Sequence, residues 1–426
     1  MSWSRATAGA DVDVPSRIVI VGAGQAAVQA IATLRARGYQ GSIVLVGEEN
    51  RLPYQRPPLS KQFLLAAMDC RQLQLHPEEF YVARNVEMRL GVRACEIDRS
   101  NQRLCLEDGE SIAYDSLLLT TGSRPRRLSI PGSELGGVHE LRTVDDALRL
   151  RAALREAKHV AIVGAGYIGL EVAASCRALG REVTVFEAAG RVMERVTWAP
   201  VSAFLQEQHQ RNGVRIVCGA RVRAFIQDPT ARRVCGVVCE ELGPSPVDAV
   251  VVGVGAVPAD DLARTAGLQC AGGIVVDEHC RSSDPRIYAA GDCALFPSRH
   301  YGVAVRLECV DNACEQGASA ALNMLGYSTL HDRIPSFWSD QYDCNFVAVG
   351  WSRLHDELIV RGDPASRSFS VCYLSSGELI AVDTINRPRD QLAARKLIPA
   401  RARPDRCRLT DPSVPLQACV SPAGLH

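Results

Sequence analysis

Twice along the chain, a short apolar run ends in a glycine-punctuated turn and gives way to a helical pattern and a second apolar run. The first copy, beginning at Ser16, reads SRIVIVGAGQAAVQAIATLRARGYQGSIVLVGEE; the second, beginning at Lys158, reads KHVAIVGAGYIGLEVAASCRALGREVTVFEAAGR. Apolar runs this short and continuous fit strands covered on both faces, as in a parallel sheet, rather than the alternation of a half-exposed strand. Two strand–turn–helix–strand units in one chain predict an α/β protein with two Rossmann-like domains.

The small residues in the turns say what such units hold. Gly22, Gly24 and Ala27 make GxGxxA, and Gly164, Gly166 and Gly169 make GxGxxG. In each, the first glycine permits the tight turn, the second lets backbone approach a pyrophosphate, and the third small residue lets helix pack on strand. The phosphate is favoured at the helix N-terminus, where unpaired N–H groups and the dipole attract an anion. Glu48 and Glu187 close the second strands, where a carboxylate accepts hydrogen bonds from a ribose. A glycine pattern alone is a weak signal; strand, turn, helix, strand and acid in order make each copy a strong one. A carboxylate at Glu187 suits the free 2′-hydroxyl of NAD and repels the 2′-phosphate of NADP, although Arg191 and Arg195 follow closely and temper that preference. Two units imply two dinucleotides, which suits a resident flavin and a visiting nicotinamide.

Composition closes off other classes. At 426 residues the chain has room for two or three domains, and its formal net charge of zero gives no bulk signal for nucleic acid or an anionic membrane. No apolar run approaches the ~18 residues of a membrane span. The opening MSWSRATAGADVDVPS lacks the apolar segment of a signal peptide. Residues 1–15 are therefore expected to be a disordered lead into a cytoplasmic protein. The 16 cysteines call for a reducing compartment. None forms CxxC and no Cys/His cluster has zinc spacing, so no metal site is expected and most cysteines read as small core hydrophobes. Cys309 and Cys314, in ECVDNACEQG, do have the CxxxxC spacing of redox-active disulfides.

Of the 48 Lys and Arg residues only Lys61, Lys158 and Lys396 are lysine, and Lys61 stands at the end of RPPLSK. Further segments place it in context. YDSLLLTTGSRPR, from Tyr114, resembles the signature that closes the FAD domain of two-dinucleotide flavoproteins, and DPRIYAAGDCALF resembles their second FAD motif. VDAVVVGVGAVPADDLARTAGL resembles the return from the NAD domain to the FAD domain. RPPLSK, RLECVDNACEQGASAA and PSFWSDQYDCNF resemble the NADH-dependent, FAD-containing ferredoxin reductases that serve Rieske dioxygenases and haem-thiolate monooxygenases, over nearly the whole chain.

The resemblance implies a glutathione-reductase-like α/β fold, with two Rossmann-like domains and a C-terminal α+β domain. Its divisions are a first FAD-binding part over 16–124, an NAD-binding domain over 125–255, a second FAD-binding part over 256–330, and the C-terminal domain over 331–426. It further implies bound FAD, NADH as substrate, and a [2Fe–2S] ferredoxin as partner of a monomer or weak homodimer. For FAD it implies Gly22, Gly24, Gln25 and Ala26 at the pyrophosphate, Glu48 at the adenosine ribose, and backbone of Ala94 at the adenine. Thr121 and Gly122 belong to the closing signature, Arg56 and Arg142 lie along the cofactor, Asp292 bonds the ribityl chain, and Val310 presents its amide to the flavin pyrimidine. Lys61 would sit near flavin N5, paired with Glu171, and Trp338 near the isoalloxazine; these three are the expected catalytic residues. For NAD it implies Gly164, Gly166, Tyr167, Ile168, Gly169, Glu187 and Gly255. A compact ammonium fits against a ring edge where a planar five-donor guanidinium does not. Disulfide- and peroxide-reducing relatives carry a redox cysteine at or near the position of Lys61, which weighs against the alternatives of an NADH oxidase, a peroxidase or a coenzyme A disulfide reductase. An alternative of another class is a binding flavoprotein of the apoptosis-inducing-factor type. Between Asn386 and Arg408 eight cations face only Asp390 and Asp405, a run that reads as a solvated face or as a dock for an acidic ferredoxin.

Overall fold

The central strand of the first parallel sheet, Arg17–Val21, has Ile18, Val19 and Ile20 fully buried, as its unbroken apolar run requires. The computed structural model describes residues 14–420, so almost all of the expected N-terminal lead lies outside the described residues. Those residues divide into two units, 14–55 with 71–124 and 257–335, and 56–70 with 125–256 and 336–420.

In the first unit five strands lie in the order Ile287–Ala289, Ser116–Leu119, Arg17–Val21, Ser42–Gly47, Val86–Leu90, all parallel. Chain order and sheet order differ, as expected when helices cross over the sheet. The helix Gln25–Ala36 buries Ala26, Ala27, Ala30, Ile31 and Leu34, and packs on a second helix, Val310–Met324. Small residues set that approach: a Cβ on Gly317 would lie 2.4 Å from the carbonyl oxygen of Ala26.

The second unit repeats the plan, with parallel strands in the order Val214–Cys218, Glu182–Glu187, His159–Val163, Ala249–Val252, Val138–His139. Its C-terminal part is an antiparallel sheet in the order Ser336–Gln341, Cys344–Gly350, Glu378–Ile385, Phe369–Ser375, Glu357–Arg361. The helix Pro388–Leu397 lies on this sheet. Arg361 is wholly buried there, and its guanidinium donates to Asp390 and to the carbonyls of Leu409, Asp411 and Val414, tying the end of the chain to the sheet.

The sequence divisions treat 16–124 as one stretch, but residues 56–70 pack with the second unit. Side-chain contacts with that unit's helices hold them there. Ser175 donates its hydroxyl to the carbonyl of Ser60 at 2.7 Å, and the Arg151 guanidinium lies 5.1 Å from the centre of the Phe63 ring. Among the described residues, no helix is long and apolar enough to cross a membrane.

Candidate functional site: two open helix ends and a buried ion pair

The two fingerprints have the same geometry. Gly22 and Gly164 both have φ +103°, and a Cβ on either would lie 2.3 Å from the Thr120 oxygen or 2.4 Å from the Gly253 oxygen. No L-residue with a side chain fits such a turn. On Gly169 a Cβ would lie 2.0 Å from the Gly164 oxygen, so helix and strand close up only around a glycine.

Gly24 and Gly166 differ from these in kind. Their backbones, at φ −110°, ψ −165° and φ −82°, ψ −169°, are ordinary extended conformations open to any residue. An added Cβ at either would meet nothing within 4 Å. Neither backbone strain nor packing within the protein therefore explains these two glycines, and each begins a helix with no side-chain cap and no acid in its first turn. Some helix ends are closed by their own residues, as where Thr143 and Asp146 form a reciprocal capping box at the helix Val144–Glu156, while others, such as Ala199–Arg211, also lack a side-chain cap; what sets Gly24 and Gly166 apart is the open glycine at the turn. Two uncapped helix ends behind open glycines can receive the pyrophosphates of two dinucleotides.

Around the first fingerprint, Glu48 is exposed directly after the strand Ser42–Gly47, and Gln25 donates its amide to the Cys314 sulfur at 3.4 Å. Ala26 is buried beneath the turn, and Ala94 is half-buried at the start of the strand Ala94–Asp98. Thr121 donates its hydroxyl to the Ala259 carbonyl at 2.6 Å, and Gly122 follows with φ +70°. The Asp292 carboxylate accepts from the Ser123 hydroxyl at 2.8 Å, while its carbonyl accepts from Arg306 at 2.9 Å. Val310 is the first residue of the helix Val310–Met324.

At the second fingerprint the Glu187 carboxylate is held from both sides. One oxygen accepts from the Ala165 amide at 2.6 Å and the other from the Ala189 amide at 2.8 Å. Arg191, which the sequence sets against Glu187, is spent on the carbonyls of Thr197 and Glu194. Arg195 remains exposed, its guanidinium close to Gly255, which has φ +108°. The Tyr167 ring stacks with Phe337 and Phe346, at 6.4 and 6.1 Å between centres, and Ile168 is exposed.

Glu171, on the helix Tyr167–Ala178, has a side chain only 5% exposed. The Lys61 ammonium pairs with it at 2.8 Å. Ser60 donates its hydroxyl to the same carboxylate oxygen, and Ser339 donates to the other at 2.7 Å. Ser60 and Ser339 are the residues that sequence reasoning missed. The sequence carries no local signal for either; Ser336, Ser339 and Gln341 stand out only in the structure, as polar residues buried on the strand Ser336–Gln341. Trp338, on the same strand, is half-buried. The Arg56 guanidinium donates to the Arg142 carbonyl at 2.7 Å.

A model of pyridine nucleotide-disulphide oxidoreductases matches residues 16–317. The chain belongs to that family. A second model, of the reductase C-terminal domain, matches residues 336–420. This oxidoreductase is 40% identical over 409 residues to putidaredoxin reductase of Pseudomonas putida, covering 95% of this chain and 97% of that one. It is 40% identical over 382 residues to rhodocoxin reductase of Rhodococcus erythropolis, covering 89% of each chain. The covalent complex of putidaredoxin reductase with putidaredoxin contains a chain that superposes with a TM-score of 0.91 at 40% identity, covering 94% of this chain and 97% of that one. Membership in the pyridine nucleotide-disulphide oxidoreductases implies a flavin and NAD(H).

The family name includes a disulphide, and Cys309 and Cys314 are the pair to weigh. Neither is joined in a disulfide; Cys309 precedes the helix Val310–Met324 and Cys314 lies one turn inside it. Burial pushes the Cys314 thiol up from its ordinary value, opposite to what a thiolate nucleophile needs. Half of the sixteen cysteines are buried, and Cys70, Cys95 and Cys407 are exposed. Replacing Cys309 and Cys314 together by Ser is expected to leave NADH-dependent dye reduction within about tenfold of the parent, or roughly 1.4 kcal/mol of barrier. A larger loss with the flavin retained would favour disulfide chemistry.

Proposed function

We propose that the protein is an NADH-dependent, FAD-containing reductase of a [2Fe–2S] ferredoxin that supplies a haem-thiolate monooxygenase or a Rieske dioxygenase. The observation that carries this reading is the pair of open glycines, Gly24 and Gly166, for which the protein itself has no use. The relatives named above, putidaredoxin reductase and rhodocoxin reductase, supply the class of acceptor.

The residues fit a flavin dinucleotide at the first fingerprint: the cradle at Gly24 would be filled by a Cβ, and the helix behind it lacks its own cap. Gly22, Gly24, Gln25 and Ala26 would hold the pyrophosphate, Glu48 the ribose, and Ala94 the adenine. Thr121, Gly122, Asp292 and Val310 would hold the flavin half. The same reading assigns Arg56, Lys61, Arg142 and Trp338 to the flavin as well. The chemistry supplied by a bound flavin is the conversion of a two-electron hydride donor into two one-electron transfers. The protein positions and charges the reacting groups; no general acid or base is invoked. Gly164, Gly166, Tyr167, Ile168, Gly169 and Gly255 would hold NADH, and the doubly anchored Glu187 would accept from its ribose.

A docking face for an acidic partner is at hand. Of the two acids in the basic run, Asp390 is buried against Arg361 and Arg387, and Asp405 caps the following helix. Arg389, Arg395 and Lys396 are exposed on the helix Pro388–Leu397, around Leu392, which is 61% exposed. Charge of this kind steers encounter. The reading places the protein in the cytoplasm, where NADH is regenerated, as a monomer or weak homodimer.

The purified protein is expected to be yellow with about one FAD per chain, and to prefer NADH to NADPH by at least about tenfold in kcat/KM. Extraction of FMN, or no flavin after expression with ample riboflavin, would refute the first assignment. Equal kcat/KM for the two nicotinamides would refute the assignment of Glu187.

A further inference from the structure

The Glu171 carboxylate is the end of a longer chain of hydrogen bonds. Ser339, which donates to it, accepts in turn from the Gln341 amide at 3.0 Å. The Gln341 carbonyl oxygen lies 2.8 Å from Nε2 of His209, and Nδ1 of His209 lies 3.1 Å from the Tyr342 hydroxyl. His209 is 0% exposed on the helix Ala199–Arg211, and Gln341 is 2% exposed.

Donor and acceptor chemistry orients every link. A carboxylate paired with an ammonium only accepts, so the Ser339 hydrogen points to Glu171 and its lone pair takes the Gln341 N–H. That leaves the Gln341 oxygen facing His209, so Nε2 carries the hydrogen. Burial lowers the His209 imidazole to about 4, which makes it neutral and leaves Nδ1 to accept from Tyr342. All four dipoles thus point their positive ends toward Glu171. The amide of Gln341 interrupts any proton path, because relaying a proton through it requires the imidic tautomer. What the chain can do is fix geometry.

We propose that His209, Gln341 and Ser339 are positioning residues, a one-way hydrogen-bond chain that holds the Glu171 carboxylate in register with Lys61. Its consequence for flavin reduction rests on the proposed function; the ion pair can be read without it. The chain has only three lysines, Lys61, Lys158 and Lys396, so nuclear magnetic resonance of ¹⁵N-lysine-labelled holoprotein resolves each ammonium. An ammonium locked in a buried ion pair exchanges its protons slowly, and exposed ones exchange fast.

Gln341→Leu and His209→Phe are each expected to speed exchange at Lys61 by at least about tenfold, the equivalent of about 1.4 kcal/mol. His209→Gln places an amide N–H near the position of Nε2 and is expected to restore slow exchange; His209→Asn, which reaches only the position of Nδ1, is not. A purely structural role for His209 would treat Gln and Asn alike. Unchanged Lys61 exchange in Gln341→Leu, or equal behaviour of the Gln and Asn variants at 209, would overturn the proposal. If His209→Phe fails to fold, the comparison of Gln with Asn still decides. Should the exchange results hold while flavin reduction is unaltered, the positioning chain stands and the flavin role of Lys61 falls.

Discussion

Lys61→Met is expected to slow flavin reduction by NADH in stopped-flow mixing by more than about tenfold, and to lower unfolding stability by about 3 kcal/mol while FAD stays bound. Removing one partner of a buried ion pair costs about 3–5 kcal/mol, because the remaining charge is left uncompensated. Glu171 keeps its bonds from Ser60 and Ser339, which places the cost at the low end. The double change with Glu171→Gln should cost less than the sum of the single changes, since paired groups are not additive. Lys61→Arg is also expected to be impaired, because a planar fork replaces a compact ammonium whose side chain is only 13% exposed. If Arg serves as well as Lys, the flavin role assigned to Lys61 is wrong.

The glycines give the second large contrast. Gly22→Ala and Gly164→Ala are expected to unfold or severely destabilise their units, with a Cβ forced onto a carbonyl oxygen at 2.3–2.4 Å and a φ of +103°. Gly24→Ala and Gly166→Ala meet no protein atom within 4 Å and should leave thermal unfolding of the flavin-free protein almost unchanged. Their losses should be in ligands alone: bound FAD for Gly24→Ala, and NADH affinity with FAD retained for Gly166→Ala. Melting curves and flavin content of the four variants test this together. A Gly24→Ala protein that keeps its full complement of FAD would contradict the reading of that turn.

The parallel sheets were legible because the strands around Ile18–Val21 and Val160–Val163 are short, continuous and apolar, and both Rossmann-like sheets fall where the two fingerprints lie. The Lys61–Glu171 pairing came from resemblance, since no periodicity links residues so far apart in sequence. Ser339, Gln341 and His209 were not legible at all. Their meeting depends on the strand Ser336–Gln341 and the helix Ala199–Arg211 packing in one unit, a tertiary fact that leaves only buried polar residues as its trace. The packing of residues 56–70 with the second unit escaped for the same reason: it is written in contacts of Ser60 and Phe63 with distant helices, not in local composition. The CxxxxC spacing of Cys309 and Cys314 is the opposite case, a local pattern that the resemblance already reads as part of a helix start, and in the fold Cys309 precedes and Cys314 lies within the helix Val310–Met324.

The central claim is tested most directly by mixing the purified flavoprotein with NADH and an acidic [2Fe–2S] ferredoxin, and following bleaching of the iron–sulfur absorbance without oxygen. The expected result is ferredoxin reduction that consumes one NADH for two ferredoxins, is weakened by salt, and is much slower with NADPH. NADH oxidation that no ferredoxin accelerates, with electrons passing only to oxygen, peroxide or a disulfide, would contradict it.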